Sequence, residues 1–317
     1  MKNKILVTGG AGFIGSHLVE ALEHKGLEVI VADDFSKGSL DNLQNTKARV
    51  EEVDVSALDQ VEELFDTYDG KIASVVHLAA FTSLQASMIY PDTEVSTNVL
   101  GTVIMAKVAR DAGVKKFVFS SSAAVYGTPK ESPVREEHTT NPECVYGISK
   151  LAGEKYIQIL SKDSMSYTIL RFGNVYGERQ RMDKSGDAGV TPIFMQKLET
   201  GQPVQLRGMG KAVRDYVYVG DIVDGIVRAL DAPDGIYNLA TEKGTDVETL
   251  WNTMVQCYNP NPIPEAVKVP LSPGEIETMV ISAEKAYTVM RWKPKVAFED
   301  GMKRTVSWYK DHTTSRI

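Results

Sequence analysis

The chain has 317 residues, 43% hydrophobic and 24% charged, with a formal net charge of −7. A chain of this size buries a full core without staples and suits one large or two moderate domains. The acidic balance lacks the basic field that general nucleic-acid binding needs, and two cysteines, Cys144 and Cys257, cannot build a disulfide framework.

In chain order, Lys2 and Lys4 lead at once into Ile5-Leu6-Val7 and then Gly9, Gly10 and Gly12, which reads as a first strand and not a secretory leader. From Ile14 onward apolar residues recur at helical spacing through Leu18, Ala21 and Leu22. Strand, glycine turn and helix make a cradle for phosphate. Gly10 allows the sharp turn, Gly12 lets backbone N–H groups approach a pyrophosphate, and Gly15 lets helix and strand pack closely. The helix N-terminus adds unpaired donors and a positive dipole end. Val29-Ile30-Val31 is a second strand, closed by Asp33-Asp34. That is about the ~20-residue interval expected of a carboxylate that binds an adenosine ribose.

Further strands are predicted at Val50 to Asp54, Ser74 to Ala80, Lys116 to Phe119 (running into Ser120-Ser121-Ser122) and Tyr167 to Arg171. Helices at Asp59 to Tyr68, Glu94 to Ala112 and about Cys144 to Asp163 alternate with them. This alternation implies a parallel sheet covered on both faces, with right-handed crossovers. The rhythm changes after Arg171. Gly173 to Gly189 is polar and reads as a long loop, a kind usually tied to function or motion. Helices at Pro192 to Thr200, Asp221 to Ala232 and Asp246 to Tyr258 follow, with strands at Val204 to Leu206, Arg214 to Val219 and Ile236 to Leu239. Pro260, Pro262, Pro264, Pro270 and Pro273 exclude a helix among them. Two helices, about Ser282 to Met290 and Phe298 to His312, come last. Residues 1–172 form one expected domain, to which the chain returns around 214–240, and 173–317 are mainly a second, smaller one. No run reaches the ~18 apolar residues of a membrane span, so a cytoplasmic protein without a membrane partner is expected.

One pair of side chains suggests chemistry. Residues i and i+4 share a helix face, so Tyr146 and Lys150 point a phenol and an ammonium the same way. A free tyrosine, with a pKa near ~10, is a poor base at neutral pH. A nearby ammonium and a positively charged nicotinamide ring both favour the phenolate, which can then take a hydroxyl proton. Tyr126 and Lys130 also stand four apart, but Gly127 and Pro129 intervene and prevent helical alignment.

Gly9, Gly12 and Gly15, the serine triplet 120–122 and the Tyr146–Lys150 pair resemble the extended short-chain dehydrogenase/reductase family, and within it the NAD-dependent sugar-nucleotide epimerases. The likeness spans nearly the whole chain, through Leu170-Arg171-Phe172-Gly173-Asn174-Val175-Tyr176-Gly177, Arg214-Asp215-Tyr216-Val217-Tyr218-Val219 and Pro273-Gly274-Glu275. The resemblance implies a doubly wound α/β parallel sheet with a smaller C-terminal substrate domain. It implies Ser122, Tyr146 and Lys150 as catalytic residues: the serine on the reacting hydroxyl, the tyrosine as base, the lysine on the nicotinamide ribose. NAD would lie against Gly9, Gly12, Phe13, Ile14, Gly15, Asp33, Asp34, Ser36, Lys37, Asp54, Val55, Leu78, Ala79, Ala80, Asn98, Ser120, Tyr146, Lys150 and Phe172. A carboxylate at Asp33 repels a 2′-phosphate and so favours NAD over NADP. The substrate would meet Thr82, Ser122, Tyr146, Asn174, Gly189, Val190, Phe194, Gln205, Arg207, Arg214 and Met279; no metal is implied.

Two positions depart from the family pattern. Ser272 stands where a phosphate-clamping arginine is often found, so the diphosphate is expected to lean on Arg214, Arg207 or a residue the motifs do not mark, and Met279 stands where some members place an aromatic gate. The implied reaction is C4 epimerisation of a UDP-hexose in a homodimer. A dehydratase or decarboxylase of the same family carries acidic residues directly after the catalytic serine or threonine, where this chain has Ala123 and Ala124. A reductase with net hydride transfer and a non-catalytic dinucleotide-binding regulator are also compatible with the motifs.

Overall fold

The computed structural model describes residues 4–82, 84–180, 189–271 and 275–313. Ser272, Pro273, Gly274 and residues 181–188 of the polar stretch lie outside the described residues. The chain opens with β1 (Lys4–Thr8), α1 (Phe13–His24), β2 (Glu28–Asp33), β3 (Arg49–Glu52), α2 (Leu58–Thr67) and β4 (Ile72–His77). It continues through α3 (Leu84–Ile89), α4 (Pro91–Glu94), a π-helical turn (Val95–Leu100) and α5 (Gly101–Asp111). Then come β5 (Lys116–Ser122), α6 (Val145–Leu160), β6 (Ser166–Phe172), β7 (Asn174–Tyr176), α7 (Val190–Thr200) and β8 (Val204–Leu206). After β9 (Val213–Tyr218), α8 (Val219–Ala229) and β10 (Gly235–Leu239) follow β11 (Gly244–Asp246), α9 (Val247–Tyr258), β12 (Ala266–Lys268), β13 (Thr278–Met279), α10 (Glu284–Met290) and α11 (Phe298–Thr313).

Seven strands form one parallel sheet in the order β10-β6-β5-β4-β1-β2-β3. The central strands β1 and β2 carry apolar runs, Ile5-Leu6-Val7 and Val29-Ile30-Val31, because both of their faces are covered, whereas the edge strand β3 is largely polar. Ile5, Val7, Val29, Val31, Val118 and Leu170 pack to one side with Leu18 and Leu22 of α1 and Ile222 and Ile226 of α8. Their neighbours Leu6, Ile30, Phe117, Phe119 and Ile169 pack to the other, with Val61 of α2, Met105 of α5 and Ile157 of α6. The strand order reverses between β1 and β4, and a crevice opens beyond their C-terminal ends. Above it, β9 carries β11 and β13 on either side and also pairs with β7, while β8 pairs with β12. The first apolar face runs on without a break into Phe194, Leu198, Leu250 and Trp251 of α7 and α9.

Several boundaries differ from the sequence expectation. The helix expected from Glu94 is three pieces, because the π-helical turn breaks the α-helical ladder between α4 and α5. The expected loop from Gly173 begins with a strand, β7, stabilised by pairing to β9 rather than by local pattern. The proline-rich stretch contains β12, at an edge where prolines on either side leave three residues free to pair with β8. The strand expected to reach Ala80 ends at His77. No helix among the described residues is long and apolar enough to cross a membrane.

Candidate active site

The crevice is a continuous cleft of about 2870 Å³. At its floor the glycine turn after β1 meets α1. Gly9 adopts φ +67°, and a Cβ there would stand 2.8 Å from the Ala79 amide nitrogen. The sharp turn therefore belongs to Gly9; Gly10, which the spacing pointed to, is needed because a Cβ would press on Val31 at 2.8 Å. A Cβ on Gly15 would lie 2.1 Å from the Gly9 carbonyl oxygen, so helix and turn can pack only around hydrogen. Gly12 is the N-cap of α1 and no side chain caps it, while Phe13, Ile14 and Gly15 line the cleft. An uncapped helix end over a turn without side chains fits a dinucleotide pyrophosphate.

Asp33, buried at the end of β2, accepts from the Ala11 amide at 2.9 Å and from the Phe35 amide at 2.9 Å. Burial raises its pKa, and the two amides work against that rise. The carboxylate thus pins the glycine turn, and each oxygen keeps a second lone pair for a ribose hydroxyl. Asp34 is turned to Ser36, which donates to it through its amide at 2.9 Å and its hydroxyl at 2.6 Å. Lys37 sits 5.7 Å over the Phe81 ring. Asp54 accepts from the Ser56 amide at 2.8 Å, and it lines the cleft with Val55, Leu78, Ala79, Ala80, Ser120 and Phe172. Asn98 does not line it. It is buried behind the wall, where its side chain accepts from the Phe81 amide at 2.7 Å and donates to the Phe81 carbonyl at 2.8 Å. It therefore shapes the loop after β4 and has no face left for the cofactor.

Ser122, Tyr146 and Lys150 converge on the same cleft. Ser122 ends β5, and its hydroxyl accepts from the Ala124 amide at 3.2 Å, turning the chain out of the sheet. Tyr146 and Lys150 lie one turn apart on α6. The Lys150 ammonium donates to the Ser120 carbonyl at 2.9 Å and stands 5.0 Å over Phe119 and 5.7 Å over Tyr146. Burial pushes its pKa down to about 8, against the pull of Glu94 and Glu154. The phenol is pushed up from its ordinary value, by burial first and then by the Glu94 carboxylate, while a hydrogen bond with Ser122 works the other way. Tyr146 is therefore held as a phenol by the protein's own groups, and the lysine alone does not reverse the effect of burial. Tyr126 and Lys130 go elsewhere: the tyrosine is fully buried and donates to Asn238 at 2.7 Å, and the lysine is exposed.

The far wall carries Thr82, Asn174, Gly189, Val190, Phe194, Gln205, Arg207, Arg214 and Met279. Arg214 on β9 donates to the Val213 carbonyl at 2.8 Å and to the Glu277 carbonyl at 3.3 Å, and has no ion pair among the described residues. Arg207 is paired with Glu275 at 3.1 Å. Of the two, Arg214 is the better placed to meet an anion. Met279 on β13 is level with Arg214 and packs with Ala123, Val125 and Ile281 while its edge faces the cleft. Ala123 and Ala124, beside Ser122, offer no ionisable group.

Four residues of the site were given no role from the sequence. Tyr216 lines the cleft with a buried hydroxyl that has no partner among the described residues. His77 bridges β1 and α5, Nδ1 to the Thr8 hydroxyl at 2.7 Å and Nε2 to the Thr102 hydroxyl at 3.1 Å. Burial pushes it down to about 3, so it stays neutral. Glu94 and Ser149 meet behind Tyr146. Tyr216 lies in the 214–219 stretch that carries the resemblance, but His77, Glu94 and Ser149 are lone residues inside apolar or helical runs with no pattern to mark them. Among the described residues no group of three His, Cys, Asp or Glu could hold a metal.

Residues 5–240 match the model of the NAD dependent epimerase/dehydratase family. A putative UDP-glucose 4-epimerase of Methanocaldococcus jannaschii is 37% identical over 310 residues, covering 97% of this chain and 99% of that protein. The crystal structure of UDP-glucose 4-epimerase from Thermotoga maritima with UDP-glucose superposes with a TM-score of 0.91 at 35% identity, covering 98% of this chain and 99% of the other. UDP-N-acetylglucosamine 4-epimerase from Methanobrevibacter ruminantium, in complex with UDP-N-acetylmuramic acid, superposes at 0.90 with 27% identity, covering 98% and 100%.

Proposed function

The chain belongs to the NAD-dependent epimerase/dehydratase family, and from that premise we propose that it inverts C4 of UDP-hexoses through a transient 4-keto sugar. Residues 1–172 would mainly hold NAD and 173–317 mainly the UDP-sugar. When bound, NAD supplies a reversible hydride acceptor, so no net redox change occurs. Tyr146 takes the C4-hydroxyl proton and later returns it. Ser122 holds the reacting oxygen, and Lys150 keeps a positive charge beside the phenol. Arg214 grips the diphosphate through its planar fork while the keto sugar turns over above it. The observation that carries the reading is the meeting of Ser122, Tyr146 and Lys150 with the uncapped end of α1 in one cleft, beside two alanines at the positions where a dehydratase needs acids.

The sugar is set at Met279. An unbranched methionine folds aside where a rigid ring would block an acetamido group. UDP-glucose and UDP-N-acetylglucosamine are both substrates on this reading. The test is steady-state rates on a panel of UDP-sugars, with wild type and Met279→Tyr. The variant is expected to lose activity on the acetylated sugar and spare UDP-glucose. Equal loss on both, or a wild type inactive on the acetylated sugar, overturns the specificity reading; absence of C4 interconversion on every sugar overturns the function.

The second part of the proposal is a homodimer. Val95, Leu100, Ile148, Tyr156 and Ile159, on the π-helical turn and α6, are large apolar side chains left exposed. Such a patch marks an interaction surface, and two packed helical stretches from each copy would cover it. Sedimentation at micromolar concentration is expected to give a dimer, and a monomer refutes it. Two unpaired cysteines, Cys144 and Cys257, support a reducing, cytoplasmic setting.

A further inference from the structure

Behind the acid–base pair lies a carboxylate that the reaction above does not use. Glu94 ends α4 and is fully buried. Its Oε1 accepts from the Ser149 hydroxyl and from the Asn98 side-chain amide at 2.6 Å. Its Oε2 has no hydrogen-bond partner among the described residues. Ser149 stands between Tyr146 and Lys150 on α6, so this contact is made to the very turn that presents them. Glu94 immediately precedes the π-helical turn and Asn98 lies within it; both are buried, and Asn98 also bonds the loop after β4 at Phe81.

An ionised carboxylate buried with an oxygen unbonded is costly unless a positive charge compensates it. The ionisable groups around it are few. From α6 and its N-cap come Tyr146, Lys150 and Cys144, and α3 brings none. Lys150 is also faced by Glu154 and His77. Glu154, however, is held by Arg171 through two hydrogen bonds of 2.9 and 2.7 Å, so its charge is already matched. His77 is neutral. That leaves Glu94 as the carboxylate beside the lysine that forms no ion pair among the described residues.

We propose that Glu94 is a positioning residue of the acid–base centre: its buried carboxylate is the counter-charge that keeps Lys150 an ammonium beside Tyr146, while its bond to Ser149 fixes the turn between them. The inference rests on the reading of Tyr146 as the acid–base residue. Removing the charge weakens the hold of both groups on their protons. Glu94→Gln is therefore expected to move both limbs of the pH–rate bell to lower pH, by about half to one unit.

The test is made on the NAD-loaded enzyme with two readouts. One is the pH profile of kcat; the other is the phenolate absorbance of Tyr146, read as the difference from Tyr146→Phe, which requires no turnover. Glu94→Gln is expected to lower both midpoints together. Ser149→Ala, which removes the bond and leaves the charge, is expected to lower kcat with the bell in place. Glu94→Asp draws the carboxylate back by one methylene and is expected to shift the bell in the same direction by less; it carries the test alone if the Gln variant does not fold. Reduced rates with unmoved midpoints in both Glu94 variants overturn the proposal, as does an equal shift from Ser149→Ala. A wild type without epimerase activity would defeat the functional reading alone, because the phenolate titration still reports on Glu94.

Discussion

Tyr146→Phe is expected to lower kcat by ~10³–10⁴-fold, the upper range for loss of one positioned acid–base group, with fold and NAD content intact. The phenyl ring keeps the shape that packs against Lys150, and the lysine keeps its bond to the Ser120 carbonyl, so only the proton acceptor is lost. Ser122→Ala removes a hydrogen bond to the same phenol and is expected to cost ~10²–10⁴-fold. The chain supplies its own control. Lys130 has the same spacing from Tyr126, but it is exposed, and that tyrosine is locked to Asn238 outside the cleft. Lys130→Ala should leave turnover unchanged; losses comparable to those of Lys150→Ala would sink the assignment. Turnover of UDP-glucose together with retained NAD measured by mass separates lost chemistry from lost cofactor.

The second large effect is on stability. Glu154→Gln is expected to destabilise the fold by about 3–5 kcal/mol, the usual cost of stranding one member of a buried ion pair. Glu154 on α6 and Arg171 on β6 are 0% and 2% exposed. The Ser121 hydroxyl also donates to Glu154, and Arg171 reaches the Glu136 carbonyl at 3.3 Å and stacks 4.7 Å from the Tyr126 ring. An amide keeps the shape of the carboxylate but leaves the guanidinium uncompensated in a dry site. The double variant Glu154→Leu/Arg171→Met removes both charges and is expected to recover much of the loss, since apolar pairs often replace buried ion pairs at little cost. Urea unfolding of the three proteins measures this, and a loss under ~1 kcal/mol for Glu154→Gln would show that the pair is not desolvated as the geometry implies. The pair also anchors α6 one turn beyond Lys150, so the same variant is expected to impair turnover.

Local chemistry made part of this molecule legible before any coordinates. Ile5-Leu6-Val7 and Val29-Ile30-Val31 read as strands buried on both faces because neither face alternates with polar residues, and their side chains do divide between the two apolar clusters. The parallel sheet followed from strands and helices taking turns. Tyr146 and Lys150 could be paired by number alone because a helix repeats every few residues, and Pro129 told the other tyrosine–lysine pair apart for an equally local reason.

Whatever depends on neighbours within a turn or a strand was therefore written in the order of residues: the glycine cradle, the sheet-forming runs and the phenol–ammonium pair. Whatever depends on which distant surfaces meet came only with folding. Packing assigned the turn to Gly9 rather than Gly10, because Ala79 and Val31 press on different glycines. It brought β10 to the edge of the sheet beside β6 and made β7 a strand by supplying β9. It took Asn98 out of the cleft, matched Arg207 with Glu275 and buried Glu94 against α6. A charge or an amide inside a helical run has the same sequence signature whether it faces water or a lysine. Only packing sets its dielectric surroundings and its partners, and those set its chemistry.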